Sequence, residues 1–164
     1  MSTATEGEEP PRQHALRLPP SVVICGPTAA GKTEIALALA RAVPVRLISA
    51  DSVQVYRGMN VGSAKPEAAL LSEFPHDLID IRDPEDSYTA ADFARDAETR
   101  MRAAAKCGRI PVLVGGTAMY LRALRYGLDP LPEADPALRE QLEAEAARDG
   151  WAALHRRLAG LDPK

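Results

Sequence analysis

Short apolar runs alternate with longer amphipathic stretches along residues 21–126. The runs have the length of buried strands, and the stretches between them repeat apolar residues at helical spacing. The predicted strands are Val22–Cys25, Val45–Ser49, Leu78–Ile81 and Ile110–Val114. The predicted helices are Lys32–Val43, Thr89–Cys107 and Thr117–Tyr126. This alternation predicts an α/β protein with a parallel sheet flanked by helices.

The two ends of the chain differ from this pattern. Residues 1–20 are polar and rich in proline, without an apolar period, which predicts a disordered leader. Near the other end, Asp135-Pro136 supplies an N-cap and a first helical residue. The charged helix that follows is expected to break near Gly150 and to resume at Trp151.

Composition excludes several classes of protein. The chain has 164 residues, 46% apolar and 26% charged, which suits one soluble domain with a hydrophobic core. No apolar run has the length of a membrane span, so no membrane partner is expected. The net charge of −3 argues against a surface that coats nucleic acid broadly, whereas 16 Arg against 4 Lys suit local phosphate contacts. Cys25 and Cys107 have no metal-ligand spacing, which predicts a cytoplasmic protein with two buried, reduced thiols.

Residues 26–33 carry the first candidate chemistry. They match G-x-x-x-x-G-K-[ST], between a predicted strand and a predicted helix, and a chance match is expected in about one sequence in a thousand. The residues are Gly26, Pro27, Thr28, Ala29, Ala30, Gly31, Lys32 and Thr33. Backbone N–H groups at a helix start bind phosphate, Lys32 adds a point charge, and the Thr33 hydroxyl suits Mg²⁺. The pattern predicts polyphosphate with magnesium and does not specify a nucleotide.

Asp51 follows the second predicted strand, at the same edge of the sheet as the loop of residues 26–33. Its position alone leaves three roles open: outer partner of a magnesium ion, general base, or helix N-cap. Ser52 and Gln54 bring a hydroxyl and an amide that can read the edge of a base. Thr117 follows Gly115-Gly116 at the same edge, where it either faces the crevice or caps the next helix.

Five blocks of sequence together resemble the tRNA dimethylallyltransferase family. They are GPTAAGKT, ISADSVQVYRGMNVGSAKP, HDLIDIRDPEDSYTAADF, VLVGGTAMYLRAL and LPEADPALR, in the order of that family. The resemblance implies a P-loop-kinase-like fold, with residues 21–132 as the core that binds prenyl diphosphate. It also implies that residues 133–164 begin a helical insertion that binds tRNA.

The resemblance further implies roles for individual residues. Residues 26–33 are expected to hold dimethylallyl diphosphate, and Asp51 to act as general base on the N6 amine of the adenosine next to the anticodon. Asp51, Ser52, Val53 and Gln54 match the family's adenine-contacting stretch. Thr117 matches a threonine of the reaction channel, and Arg139 matches an arginine that contacts tRNA. The implied partners are the tRNA anticodon loop and dimethylallyl diphosphate, the implied cofactor is Mg²⁺, and the expected state is a monomer.

Chains of this family continue well beyond this length, with a diphosphate-binding arginine and further helices. The isolated chain is therefore expected to transfer no dimethylallyl group, and to expose an apolar surface lined partly by Met101, Leu121 and Leu124. Two alternatives stay open. One is a small-molecule or nucleoside kinase, which shares the loop and the sheet. The other is a phosphate-binding remnant without catalytic activity.

Overall fold

The computed structural model describes residues 18–128 and 135–162. The chain forms two compact units that divide between Leu128 and Asp129, and each is described by itself. The predicted boundary between residues 132 and 133 lies outside the described residues, as do residues 1–17 of the predicted leader. Leu18 is described and packs against the core.

The first unit is built on a parallel sheet of four strands. They are β1 (Val22–Cys25), β2 (Val45–Ser49), β3 (His76–Asp77) and β4 (Ile110–Gly115). The spatial order is β1-β4-β2-β3, and every pairing is parallel. In the register, Val112 of β4 lies opposite Val22 of β1 and Leu47 of β2. The prediction of an α/β fold with a parallel sheet is confirmed.

Three helices connect the strands of this unit, and a fourth follows β4. They are α1 (Lys32–Ala42), α2 (Ala68–Glu73), α3 (Ala90–Lys106) and α4 (Ala118–Tyr126). The short helix α2 is absent from the sequence-based prediction, and the other three agree with it to within a residue at each end. The start of α3 is a capping box in which Thr89 and Asp92 exchange hydrogen bonds.

Alternate residues of the central strands face two different cores, as the pleat of a strand requires. Val112 and Val114 belong to one core, together with residues of α1. Leu113 belongs to the other, with Phe93 of α3 and Tyr120 of α4. The rings of Phe93 and Tyr120 stack with centroids 4.6 Å apart. Helices thus cover both faces of the sheet.

The predicted strand Leu78–Ile81 is wrong. The observed strand is His76–Asp77, and the chain then leaves the extended conformation because Leu78 and Asp80 have φ of 66° and 54°. Leu78 is nevertheless buried, so its apolar character reflects the core rather than a strand. The carboxylate of Asp80 pairs with Lys65.

Two expectations about exposure are also wrong. Met101 and Leu124 are buried and Leu121 packs against the core, because α3 and α4 cover each other and the sheet. Exposed apolar side chains lie instead on β1, where Val23 is 49% exposed and no described strand pairs with its outer edge. The thiols are exposed as well.

The positions of the two cysteines explain that exposure. Cys25 ends the edge strand β1. Cys107 is the C-cap of α3, where the helix meets solvent.

The second unit is a pair of helices, α5 (Pro136–Asp149) and α6 (Trp151–Leu161). Asp135 caps α5 by accepting hydrogen bonds from two backbone N–H groups, and Gly150 separates the helices as predicted. Arg157 of α6 donates to Glu145 of α5 at 2.6 Å. None of the helices in the described part of the chain is long and apolar enough to cross a membrane.

Candidate functional site

Strands β1, β2 and β4 are parallel, so their carboxyl ends meet at one edge of the sheet. A cavity of about 630 Å³, hereafter the cleft, lies at this edge. It is lined by Thr28, Ala29, Ala30, Gly31, Lys32, Thr33, Glu34, Ser49, Asp51, Val53, Gln54, Gly62, Ser63, Ala64, Pro66, His76, Val114, Gly115 and Gly116. Residues far apart in sequence are therefore brought to one place by the topology of the sheet.

The loop between β1 and α1 depends on unusual backbone conformations. Gly26 has φ of 153° and Gly31 has φ of 74°, values that favour glycine. Gly31 is the N-cap of α1, and no side chain among the described residues caps the N–H groups there. Free N–H groups at a helix start are suited to bind an anion. Lys32 lies over the same loop, where its Nζ donates to the carbonyl of Pro27 at 2.6 Å.

Asp51 lies directly beyond β2, where it caps a turn with one carboxylate oxygen. Oδ1 accepts hydrogen bonds from the N–H groups of Val53 at 2.9 Å and Gln54 at 3.2 Å. Among the described residues, Oδ2 has no hydrogen-bond partner. No helix begins at Asp51, so the helix N-cap considered from the sequence is not observed, and one carboxylate oxygen caps a turn instead. The second oxygen leaves the carboxylate able to act on a ligand in the cleft.

Thr117 is the N-cap residue of α4, but its hydroxyl does not cap that helix. Its Oγ1 instead accepts a hydrogen bond from the N–H of Ser52 at 3.1 Å and donates to Ser52 Oγ at 3.4 Å. Neither Thr117 nor Ser52 lines the cleft itself. Their contact joins the β4–α4 connection to the turn that carries Asp51.

The two glycines before Thr117 are required by close packing. A Cβ on Gly115 would overlap the carbonyl group of Ala50, and a Cβ on Gly116 would lie 3.2 Å from the carbonyl oxygen of Gly26. The backbones that follow β1, β2 and β4 therefore lie in direct contact, with no room for a side chain between them. A tight turn, the alternative explanation of this pair, is not what the structure contains, because Gly115 is the last residue of β4.

Gln54 lines the cleft, but its side-chain amide is already bonded to protein atoms. Oε1 accepts a hydrogen bond from Ser49 Oγ at 3.1 Å, and Nε2 donates to the carbonyl of Ala64 at 3.1 Å. The amide thereby ties the end of β2 to the loop of residues 62–66. Reading of a base edge by Gln54 stays a prediction, and in this geometry the amide has a structural partner on each side.

Sequence reasoning about individual residues missed several that line the cleft. Ser63, Ala64 and Pro66 form one wall, and Glu34 lies on the first turn of α1. The sequence did contain a signal for these three residues, because they lie in the block ISADSVQVYRGMNVGSAKP that resembles the transferase family. His76 is another residue that lines the cleft. It lies half-buried in the cleft, its Nδ1 donates to the Phe74 carbonyl at 2.7 Å, and burial lowers its pKa.

Arg139 belongs to the helical pair α5 and α6. It lies in the first half of α5, in the second unit, and its side chain is exposed. Together with Leu138, Leu142 and Trp151 it lines a shallow cavity within that unit. A role in tRNA contact stays a prediction for this residue.

The residues of the cleft are suited to bind a magnesium ion that is also coordinated by a phosphate ligand. In residues 18–128 and 135–162, no group of three or more His, Cys, Asp or Glu is arranged to hold a metal alone. Mg²⁺ keeps several waters and takes one or two protein oxygens beside phosphate. The hydroxyl of Thr33 and the carboxylate of Asp51 line the same cavity and are oxygen donors of this type.

The fold and the cleft define the class of this protein. It is an α/β protein in which a glycine-bounded loop, a carboxylate and a glycine pair meet at the carboxyl edge of a parallel sheet. A family model described as IPP transferase matches residues 54–164. The chain belongs to the IPP transferase family.

Two relatives illustrate the match. A tRNA dimethylallyltransferase of Alkalilimnicola ehrlichii is 57% identical over 154 residues, which cover 92% of this chain and 49% of the relative. A tRNA dimethylallyltransferase of Thiobacillus denitrificans is 57% identical over 148 residues, covering 90% and 47%. The chain thus spans about half the length of the curated relatives it matches.

Solved structures show the same likeness. A tRNA isopentenylpyrophosphate transferase from Bacillus halodurans superposes with a TM-score of 0.65 at 42% identity, over 88% of this chain and 48% of that one. A eukaryotic dimethylallyltransferase acting on tRNA gives 0.62 at 26% identity, over 75% and 31%. The resemblance seen in the sequence is confirmed, as is the P-loop-kinase-like fold.

Proposed function

We propose that this chain is the donor-binding part of an enzyme that transfers a dimethylallyl group from dimethylallyl diphosphate to N6 of the adenosine next to the anticodon of tRNA. One observation carries the proposal: the loop of residues 26–33 and the carboxylate of Asp51 line a single cavity. The cavity can therefore hold the leaving diphosphate at the loop and the reacting amine next to Asp51. Membership of the IPP transferase family and the names of the relatives support this choice of substrates.

The loop acts on the donor. Cleavage of the allylic C–O bond places negative charge on the diphosphate, and N–H groups at the start of α1 and the ammonium of Lys32 stabilise that charge. Each such donor is worth about 3 kcal/mol in a preorganised site. Mg²⁺, when bound at Thr33, supplies further positive charge beside the diphosphate.

Asp51 acts on the acceptor. The lone pair of an adenine amine is delocalised into the ring, so the amine is a weak nucleophile. Removal of its proton as the N–C bond forms contributes about 10²–10⁴-fold to the rate. The adenosine reaches the cleft unstacked, at a lower cost in a single-stranded loop than in a duplex.

The whole enzyme is proposed to work as a monomer in the cytoplasm, where its tRNA substrate lies. The 164 residues span about half of the relatives. We expect them to bind the donor without measurable transfer, because about half of the length of these relatives has no counterpart in this chain.

Thermal unfolding of the purified chain with Mg²⁺ tests whether dimethylallyl diphosphate is the ligand of the cleft. Dimethylallyl diphosphate at about 100 times its dissociation constant should stabilise the chain by about 2.7 kcal/mol. ATP at the same concentration should stabilise it less. Stronger stabilisation by ATP would favour a kinase, and the absence of any effect from both ligands would contradict a phosphate site in this chain.

A further inference from the structure

Lys65 is a buried lysine next to the cleft. Its side chain is 3% exposed, and its Nζ donates to the carbonyl of Tyr56 at 2.7 Å and to Asp80 Oδ1 at 2.6 Å. Lysine is almost never buried to this degree unless it is paired. One ammonium group therefore joins three segments: its own loop, the turn of residues 51–56 and the segment of residues 78–82.

These segments hold most of the backbone strain in the described residues. Four residues other than glycine have positive φ, and three of them, Ala64, Leu78 and Asp80, lie in the loop and the segment that Lys65 joins. Such conformations are strained and persist only where the surrounding contacts enforce them. Ala64 precedes Lys65 in the chain, and Asp80 is its ionic partner.

The contacts converge on the turn that carries Asp51. The N–H of Asp80 donates to the Gln54 carbonyl at 3.1 Å, and the N–H of Ile81 donates to the Val55 carbonyl at 2.9 Å. From the other side, the Gln54 amide donates to the Ala64 carbonyl. The N–H of Gln54 is also one of the two donors to Asp51 Oδ1. The direction of the Asp51 carboxylate thus depends on how this turn is held.

Lys65 itself does not line the cleft, although its neighbours Ala64 and Pro66 do. It is too far inside the protein to serve as a ligand for phosphate. We propose that Lys65 is a positioning residue, which holds the Asp51 carboxylate in the cleft by fixing the turn of residues 51–56. The purpose of this positioning rests on the proposed function, in which Asp51 is the general base.

Amide hydrogen exchange of this chain tests the positioning directly. Lys65→Met keeps the length of the side chain and removes its charge and donors. It should reduce the protection of the Val53 and Gln54 amides about tenfold, the equivalent of one lost hydrogen bond, and leave Val112 to Val114 of β4 unchanged. Lys106→Met, at the exposed end of α3, is the matched control and should change neither group of amides.

Two results would overturn the inference. Unchanged exchange at Val53 and Gln54 would show that the turn does not depend on Lys65. Loss of protection throughout β4 would show a general structural role. If Lys65→Met fails to fold, Asp80→Asn is the variant to test. It weakens the ion pair and leaves the hydrogen bond from Lys65 Nζ to the Tyr56 carbonyl. It should give the same local pattern, and no local change would count against the inference.

Single-turnover kinetics in the complete protein separate this inference from the proposed function. Lys65→Met should lower the rate of prenyl transfer about tenfold or more and leave the affinity for dimethylallyl diphosphate unchanged. In a double variant with Asp51→Ala it should cost little more, because Lys65 acts through Asp51. Additive losses would overturn the inference. Absence of prenyl transfer by the unmodified protein would instead overturn the proposed function, while the exchange data still decide the positioning.

Discussion

The hydroxyl oxygen of Thr117 accepts a hydrogen bond from the backbone N–H of Ser52 at 3.1 Å. These residues lie 65 positions apart, and each follows a different strand of the sheet. The N–H of Thr117 in turn donates to the Ala50 carbonyl at 3.3 Å. With the bond from Thr117 Oγ1 to Ser52 Oγ at 3.4 Å, three hydrogen bonds thus hold the β4–α4 connection to the turn that carries Asp51.

Thr117→Val should weaken this connection, because valine keeps the shape of threonine but cannot accept the hydrogen bond. We expect a loss of about 1 kcal/mol in the free energy of unfolding and a lower rate of prenyl transfer in the complete protein. Chemical denaturation and single-turnover kinetics measure the two effects. Thr117→Ser should retain both properties, and Thr99→Val on the exposed face of α3 is the control. Equal behaviour of Thr117→Val and the unmodified protein would contradict the prediction.

Asp51→Asn should lower the rate of prenyl transfer about 10²–10⁴-fold, because the amide cannot take the proton of the amine. The amide oxygen can still accept hydrogen bonds from the turn, so the affinity for dimethylallyl diphosphate should change little. Single-turnover kinetics and equilibrium binding separate the two properties. If affinity collapsed while the chemical step survived, Asp51 would be a magnesium or structural residue.

Lys32→Ala should remove most of the stabilisation of this chain by diphosphate ligands. The start of α1 alone leaves much of the phosphate charge uncompensated. An affinity lower by about 100-fold reduces the stabilisation from about 2.7 to about 0.4 kcal/mol at the same ligand concentration. Thermal unfolding with dimethylallyl diphosphate and Mg²⁺ measures it, with Lys106→Ala as the control. Unchanged binding would remove the loop of residues 26–33 as the diphosphate site.

Gly115→Ala should destabilise the first unit by about 1–3 kcal/mol or more, because the new Cβ overlaps the Ala50 carbonyl and the strand ends must move apart. Gly160→Ala in α6 meets no atom within 4 Å and is the matched control, expected to be neutral or stabilising. Urea denaturation followed by circular dichroism compares the two. A Gly115→Ala variant as stable as Gly160→Ala would show that the strand ends separate at little cost.

Acidification should destabilise the chain through His76. Burial lowers the pKa of His76 below its ordinary value of 6.5, so the unfolded chain binds the proton first as the pH falls. The stability contributed by neutral His76 is present above about pH 6.5 and is lost progressively below it. His76→Asn can keep a donor to the Phe74 carbonyl and does not titrate. The stability difference between the two proteins should therefore change below pH 6.5, and a constant difference would contradict this.

The sequence by itself determined the class of fold and the loop of residues 26–33. Both follow from local rules: apolar periodicity separates strands from helices, and the glycines with Lys32 and Thr33 are needed wherever such a loop occurs. The start of α3 near Thr89 and the break at Gly150 likewise follow from local signals. Asp51 and Thr117 were placed at one edge because parallel strands end together.

Only the tertiary structure decided which groups these residues contact. The hydroxyl of Thr117 bonds to Ser52 rather than capping α4, and the amide of Gln54 is held between Ser49 and Ala64. The segment of residues 78–81 carries the apolar residues of a strand but leaves the extended conformation at Leu78 and Asp80, and Asp80 pairs with Lys65. Such contacts join residues distant in sequence, and neither periodicity nor propensity contains information about them.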